Sequence, residues 1–538
     1  MRKKNILIAC LLLVLTWSAL TLAANPNPKG QVIIGSIGEI ETLNPALSEQ
    51  AAETQLLNGI FSKLLRLDNH GQFLPDLALE VPTVENDGIS KDGLTITFRL
   101  RPNVKWHDGQ PLTAEDVKFT WELHMHPDVQ VVSRAGFEAI DSIATPDTQT
   151  VVMNLKRSEA DFLTTWAAPE GSILPKHILS QYAPSEITKT HRFSQSPIGS
   201  GPFKFKEWKD GEYVLLEANT EYYGEGPYLA KVIQKVVPDS NTLLTQLRTG
   251  EVDIVQVQPN QYELAKAIPH VKVDLNPASI YQHITLNFDK VPAFKDKLVR
   301  QALSYAIPRY LIVQSICKDV AVPATASIAP ISWAYNPNIK PYPYDLQKAN
   351  QLLDAAGWKM TSSGIREKDG AKLTFTISTN SGNITREQIE QVLQQEWKKI
   401  GVDLVIQNYE ATTFFGDILN YRKFDAALFA WITGSDPNEI FSYHSRQIPT
   451  PENNWEGQNY SGYINPEMDE LQVKGLTTFD QEERQKIYYR VQEICHDELP
   501  MLYLYYYVNV DCYPQDLKNY KPAPYTNGIS WNINEWQR

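Results

Sequence analysis

Residues 424–444 read FDAALFAWITGSDPNEIFSYH. Apart from Asp425, the first six residues are apolar, as in a short buried strand. Trp431 follows, and then Gly434-Ser435-Asp436-Pro437, a run of turn-forming residues. The spacing predicts a strand over 424–429, with Trp431 and the turn just past its end. Immediately upstream, 373–378 and 402–406 read as strands. Between them 386–400 is an amphipathic helix, with Ile389, Val392, Leu393, Trp397 and Ile400 on one face and Gly401 closing it. A second helix is expected over 412–421. Strand-helix-strand-helix-strand is the pattern of a parallel sheet. Ligands bind such sheets in the crevice at the carboxyl ends of the strands. Residues 431–437 are therefore a candidate cleft wall, although a core Trp and a surface turn would fit the same letters.

Toward the N-terminus, 31–37 is a short strand and 53–65 has helical spacing. Ile96, Phe98 and Leu100 alternate in a half-buried strand that runs into Trp106-His107-Asp108-Gly109. Thr113 opens a helix, with Asp116 at the capping-box position. A strand over 231–237, a helix over 241–249 capped by Asp239 or Ser240 and ended by Gly250, and a strand over 252–257 form another α/β unit.

A chain of 538 residues exceeds one core, so two or three domains are expected. Its 42% hydrophobic and 21% charged residues are ordinary for a globular protein. Arg2, Lys3 and Lys4 precede an apolar run over 6–24 that ends in Ala23-Ala24 before Asn-Pro-Asn-Pro, the pattern of a cleaved export signal. An uncleaved anchor is the rival reading, because the run reaches the borderline spanning length. The hydrophobic core continues past Cys10, which argues against lipidation there. Cleavage removes three of the 50 basic residues, leaving 47 against 63 acidic residues and a mature charge of −16. No basic stripe suggests nucleic acid. Cys317, Cys495 and Cys512 remain, enough for one disulfide and one free thiol, with the pairing open.

Catalytic templates are missing: no G-x-S-x-G, phosphate loop, H-E-x-x-H or EF-hand loop occurs. His124 and His126 lie two apart, on different faces of a helix, with no third metal ligand evident. His107-Asp108 sits at a hairpin-type turn and reads as structural. Neither metal nor cofactor is expected.

Several strings, in register along the mature chain, resemble the extracytoplasmic solute-binding proteins of ABC importers. The family in question is solute-binding protein family 5, which includes the oligopeptide- and dipeptide-binding proteins. The strings are Pro75-Asp76-Leu77-Ala78, Thr97-Phe98-Arg99-Leu100-Arg101 and Val104-Lys105-Trp106-His107-Asp108-Gly109-Gln110-Pro111-Leu112-Thr113-Ala114-Glu115-Asp116-Val117. Further matches are Pro197-Ile198-Gly199-Ser200-Gly201-Pro202-Phe203, Gly250-Glu251-Val252-Asp253-Ile254, the helix over 299–307, and 349–358 ending in Ala-Gly-Trp. Pro308 stands where the family usually has Asp.

The resemblance implies a bilobal α/β periplasmic-binding-protein fold, with two mixed-sheet lobes, a hinge and a smaller domain inserted in the first lobe. On that pattern lobe I takes 25–64, 188–275 and 498–538. The inserted domain is 65–187 and lobe II is 276–497. The implied protein is an exported monomer that closes on a peptide and docks on an ABC-type membrane permease. Some relatives carry metal chelates, sugars or other small solutes instead; an exported hydrolase is the remote alternative. Trp431 matches a cleft Trp of peptide-binding relatives. Those relatives often place an amine-binding Asp three residues later, where this chain has Gly434, and some have an Arg where this chain has Leu428. Asp436 is then the nearest substitute, unless it only caps the turn before Pro437. Glu49 matches an acidic cleft residue, and Tyr443, Arg446 and the Gln458-Asn459-Tyr460 turn are expected to complete the wall.

Overall fold

The computed structural model describes residues 27–525 and 528–538. The export-signal and Cys10 readings therefore lie outside the described residues.

Three principal hydrophobic cores organise the chain. The first gathers Val32, Ile34, Leu56, Leu57 and Ile60 with Leu216, Val232 and, from the far end of the chain, Ile533 and Trp536. It underlies a four-stranded sheet in the order Gln31–Ser36, Lys231–Val236, Tyr213–Ala218, Phe203–Lys209, whose first pair is parallel. The second core is confined to Leu64–Ile173. Here the antiparallel strands Thr95–Arg99, Thr150–Leu155 and Ile140–Ala144 pack with the helix Ala114–Met125. That helix starts as the sequence predicts: the Asp116 carboxylate accepts the Thr113 backbone N–H at 2.8 Å.

The third core runs from Tyr281 to Tyr506. Its sheet is mixed. Thr374–Ser378 pairs in parallel with both Asp403–Ile406 and Ala426–Ile432, and Ala426–Ile432 pairs antiparallel with Val271–Leu286. The helix Ile384–Lys398 covers this sheet through Ile389, Leu393 and Trp397, spaced four apart on one face. The helix expected over 412–421 is one α-turn followed by wider π-type turns over Phe414–Leu419.

Two long antiparallel strands, Val271–Leu286 and Met501–Pro514, belong to both halves of the molecule. Val271, Val510 and Cys512 pack into a smaller core alongside Leu243 and Leu247. Tyr281–Leu286 and Met501–Tyr506 pack into the third core. The ladder breaks register between Pro277 and Tyr281, where Pro277 has no N–H to contribute. The third core continues through Tyr506, past residue 497 where the sequence reading ends lobe II, because the strand is shared rather than divided. Cys317, Cys495 and Cys512 are all free and buried.

Two sequence motifs explain each other here. The His107 backbone N–H donates to the Gly199 carbonyl at 2.8 Å, and the Gly199 N–H donates back to His107 Nδ1 at 3.2 Å. His107 Nε2–H donates to the Gly201 carbonyl at 3.0 Å. Burial lowers this imidazole's pKa to about 4, keeping it neutral, as one donor and one acceptor require. Gly199 and Gly201 press on the end of the helix Ala51–Ile60, where a Cβ on Gly199 would overlap the Ile60 carbonyl oxygen.

Candidate solute-binding cleft

Trp431 lies within its strand. Pairing with Val271–Leu286 continues to Ile280↔Ile432, so the strand runs three residues beyond the predicted end at 429. Its opposite edge is different. Thr374–Ser378 covers that edge only as far as Ala427, and the Thr379 hydroxyl donates to the Leu428 carbonyl at 2.8 Å. From Phe429 to Ile432 the edge has no strand partner among the described residues. Unpaired backbone at a sheet edge is a template for another extended chain. Beside it, the Trp431 and Tyr460 rings stack at 6.2 Å and 10°. With Phe415, Asn420 and Gln458 they line a cavity of about 340 Å³. The Tyr460 hydroxyl donates to Asn420 Oδ1 at 3.0 Å, while the buried Trp431 Nε1–H has no acceptor among the described residues.

Past the strand, Thr433 is tied to the kink in the crossing strand. Its N–H donates to the Ser279 carbonyl at 2.8 Å, and the two hydroxyls share a hydrogen bond of 2.6 Å. Gly434 is exposed. Both oxygens of Asp436 accept from Arg484, each at 2.8 Å. The Arg484 guanidinium also donates to the Gly475 carbonyl and lies 5.5 Å from the Trp333 ring centroid. The Asp436 charge is thus already neutralised inside the protein. That weakens its case as a partner for a ligand amine, since bidentate Arg–carboxylate pairs are strong.

A second cavity, of about 580 Å³, opens where the 434–447 segment meets the part of the chain built on the Leu64–Ile173 core. Gly434, Asn438 and Arg446 line it from one side, and Glu138, Glu159 and Asp161 from the other. Asn438 Nδ2 donates to Asp161 Oδ2 across this junction at 2.8 Å, and the Ala160 N–H donates to the Leu476 carbonyl at 2.7 Å. Burial, with the neighbouring Asp436 charge next, raises the Asp161 carboxyl to about 6. Nothing in the sequence around Asp161 signals this position. It lies more than 270 residues before Asn438 and meets it only through the fold.

The other predicted wall residues are distributed unevenly. Arg446 is exposed on the larger cavity and has no ion-pair partner among the described residues. Tyr443 is fully buried, its hydroxyl 2.8 Å from that of Tyr503. Asn459 is fully buried too. Its Nδ2 donates to the carbonyls of Tyr443, His444 and Tyr463, and its Oδ1 accepts from Ser461 and Tyr463. Both brace the wall from behind rather than facing the cleft. Glu49 is exposed and pairs with Lys189 at 3.3 Å. The carboxylate that organises its loop is Glu53, buried and accepting from the backbone N–H groups of Glu41, Thr42, Glu49 and Gln50 and from the Ser48 hydroxyl.

Two α/β bodies joined by shared strands, with an uncovered strand edge and aromatic-lined cavities beside the joint, define a bilobal solute-binding protein. The chain belongs to the bacterial extracellular solute-binding proteins, family 5, whose model matches residues 72–448. It is 34% identical over 523 residues to the oligopeptide-binding protein AppA of Bacillus subtilis, covering 96% of this chain and 93% of that one. The structure of AppA in complex with a nonapeptide superposes with a TM-score of 0.77 at 33% identity, covering 95% and 99% of the two chains. NikZ of Campylobacter jejuni, in complex with Ni(L-His), superposes with a TM-score of 0.78 at 32% identity, covering 95% and 100%. The family and these relatives are binding proteins.

Proposed function

We propose that this chain captures peptides for an ABC importer and hands them to a membrane permease from outside the cytoplasm. The observation that carries this reading is the free edge Phe429–Ile432 beside the Trp431–Tyr460 stack. An extended peptide adding to this edge gains main-chain hydrogen bonds whatever its side chains, while the adjoining cavities accept varied groups. Relatives of known ligand agree: AppA, at 33% identity, holds a nonapeptide. In this reading residues 25–64, 188–275 and the C-terminal segment form one lobe. Tyr281 to Tyr506 form the other, and 65–187 are an insertion. The exported protein acts as a monomer, and closure is driven by contacts that the ligand makes only when both lobes surround it.

The test is ligand-stripped protein offered a defined peptide mixture, with thermal shift and native mass spectrometry as readouts. A bound peptide and a raised melting temperature are expected. N-methylation of the peptide at positions facing the strand should abolish both, and Trp431→Ala should weaken binding about tenfold or more. Because NikZ holds a nickel–histidine complex, elemental analysis of the untreated protein runs alongside. Nickel with no peptide binding would replace the peptide reading with a metal-chelate one.

A further inference from the structure

Three carboxylates that line the larger cavity, Glu138, Asp161 and Glu170, have no ion-pair partner among the described residues, and of these Asp161 is the one tied into the contact with Asn438. Of the charged groups around it, Asp436 is matched by Arg484 and Glu159 by Arg157, at 2.5 Å. Asp161 has only the neutral Asn438 amide on Oδ2, and no hydrogen bond or ion pair reaches Oδ1 among the described residues. Protein encloses Asp161 on most sides, yet it keeps a path to water through the cavity it lines. Burial lifts its carboxyl pKa, the cost of an ionised group kept from solvent without a partner. Glu138 and Glu170 also line the cavity, so its lining is net acidic, with Arg446 and His444 at the opposite side.

Resting on the peptide reading above, we infer that Asp161 is the anchor for a ligand ammonium group. It lies opposite Gly434, in the cavity that begins two residues past the end of the Trp431 strand. An α-ammonium there takes the free Oδ1, and the ligand lies between the inserted domain that carries Asp161 and the lobe that carries Asn438. The ligand's amino end then sits past Gly434, and its chain runs back along Phe429–Ile432, antiparallel to that strand. Three residues of extended chain, about 10 Å, separate Gly434 from Trp431. The aromatic stack therefore meets the ligand a few residues in from its amino end. The anchor's location on the inserted domain makes amine recognition depend on that domain meeting lobe II, through Asn438–Asp161 and Ala160–Leu476.

The experiment compares wild type with Asp161→Asn by calorimetry, on one lysine-free peptide with a free or an acetylated amino terminus and on the acetylated peptide with its first residue replaced by lysine. For wild type, the free amine should bind about 30-fold or more tighter than its acetylated form, and Asp161→Asn should erase the difference. Rescue by the lysine peptide would support the same ammonium site with a side chain as the source. Free-amine affinity should also fall below about pH 6, as Asp161 takes up a proton in the field of Asp436, Glu159 and Arg484, while acetylated affinity stays level. Asparagine keeps the Asn438 bond and removes a repulsion with Asp436, so the unliganded melting temperature should hold or rise, which excludes misfolding as the cause. A wild type that prefers the free amine, with Asp161→Asn unchanged, overturns this inference and leaves the peptide reading standing. A wild type that binds none of the three overturns both.

Discussion

At the scale of single residues, the side chains committed inside the protein are as informative as those that face the cavities. Asp436 and Arg484 are nearly buried and hold each other in a two-pronged bond. Asp436→Ala would leave a guanidinium in the wall without its partner, and should cost about 3 kcal/mol of folding stability, read by chemical denaturation. Its effect on peptide affinity should be small beside that of Asp161→Asn. Among the described residues the buried Glu439 has a single partner, the Ser327 hydroxyl at 2.6 Å, and its second oxygen has none. Burial raises this carboxyl to about 8. Its folded pKa lies above the unfolded one, so the folded state binds the extra proton between the two. Stability is then full below about pH 4.5 and falls as pH rises toward 8, by up to about 1.4 kcal/mol per unit. Glu439→Gln should flatten that part of the melting-temperature profile and be the more stable form at pH 8.

At the scale of elements, the turn of Trp106–Gly109 and the segment Gly199–Gly201 form one joint, held by three hydrogen bonds through His107. The joint depends on backbone approach: no side chain fits between Gly199 and the end of the helix Ala51–Ile60. Gly199→Ala should destabilise by about 3 kcal/mol, seen as loss of soluble protein or a lowered denaturation midpoint. The Trp431 strand is the other decisive element. Its extra length and free edge come from two neighbours that end at different places. The crossing strand supports it to Ile432, whereas Thr374–Ser378 leaves it at Ala427. Nothing in the residues from Phe424 to Phe429 announces where a neighbour will stop, which is why the strand end was predicted too early.

At the scale of the whole molecule, two strands connect the halves, and their ladder shifts register twice, between Pro277 and Tyr281 and between Gln282 and His283. Pro277 interrupts the ladder where the chain passes from one core to the next, and the Ser279 N–H is held by the Pro524 carbonyl at 3.0 Å instead of by a strand partner. A joint with few ladder bonds is where a hinge motion costs least. Ligand should therefore reduce the radius of gyration measured by small-angle scattering. An unchanged radius on saturation would show that capture needs no closure.

The sequence by itself determined the local pieces and the family. Periodicity placed a helix over 386–400, observed at Ile384–Lys398, Thr113 and Asp116 placed the start of another, and the strings around Trp106 and Gly199 carried the resemblance. It also pointed to Trp431, because an aromatic at the end of a buried strand is a local pattern. Only the tertiary structure decided which carboxylates are free. Asp436 looked available until Arg484, 48 residues on, closed over it. Tyr443 and Asn459 were candidates for the wall until burial turned them inward. Asp161 had no signal at all until the fold set it opposite Gly434. Charge pairing is a property of distance in space, and sequence spacing records it only within one helix or one turn.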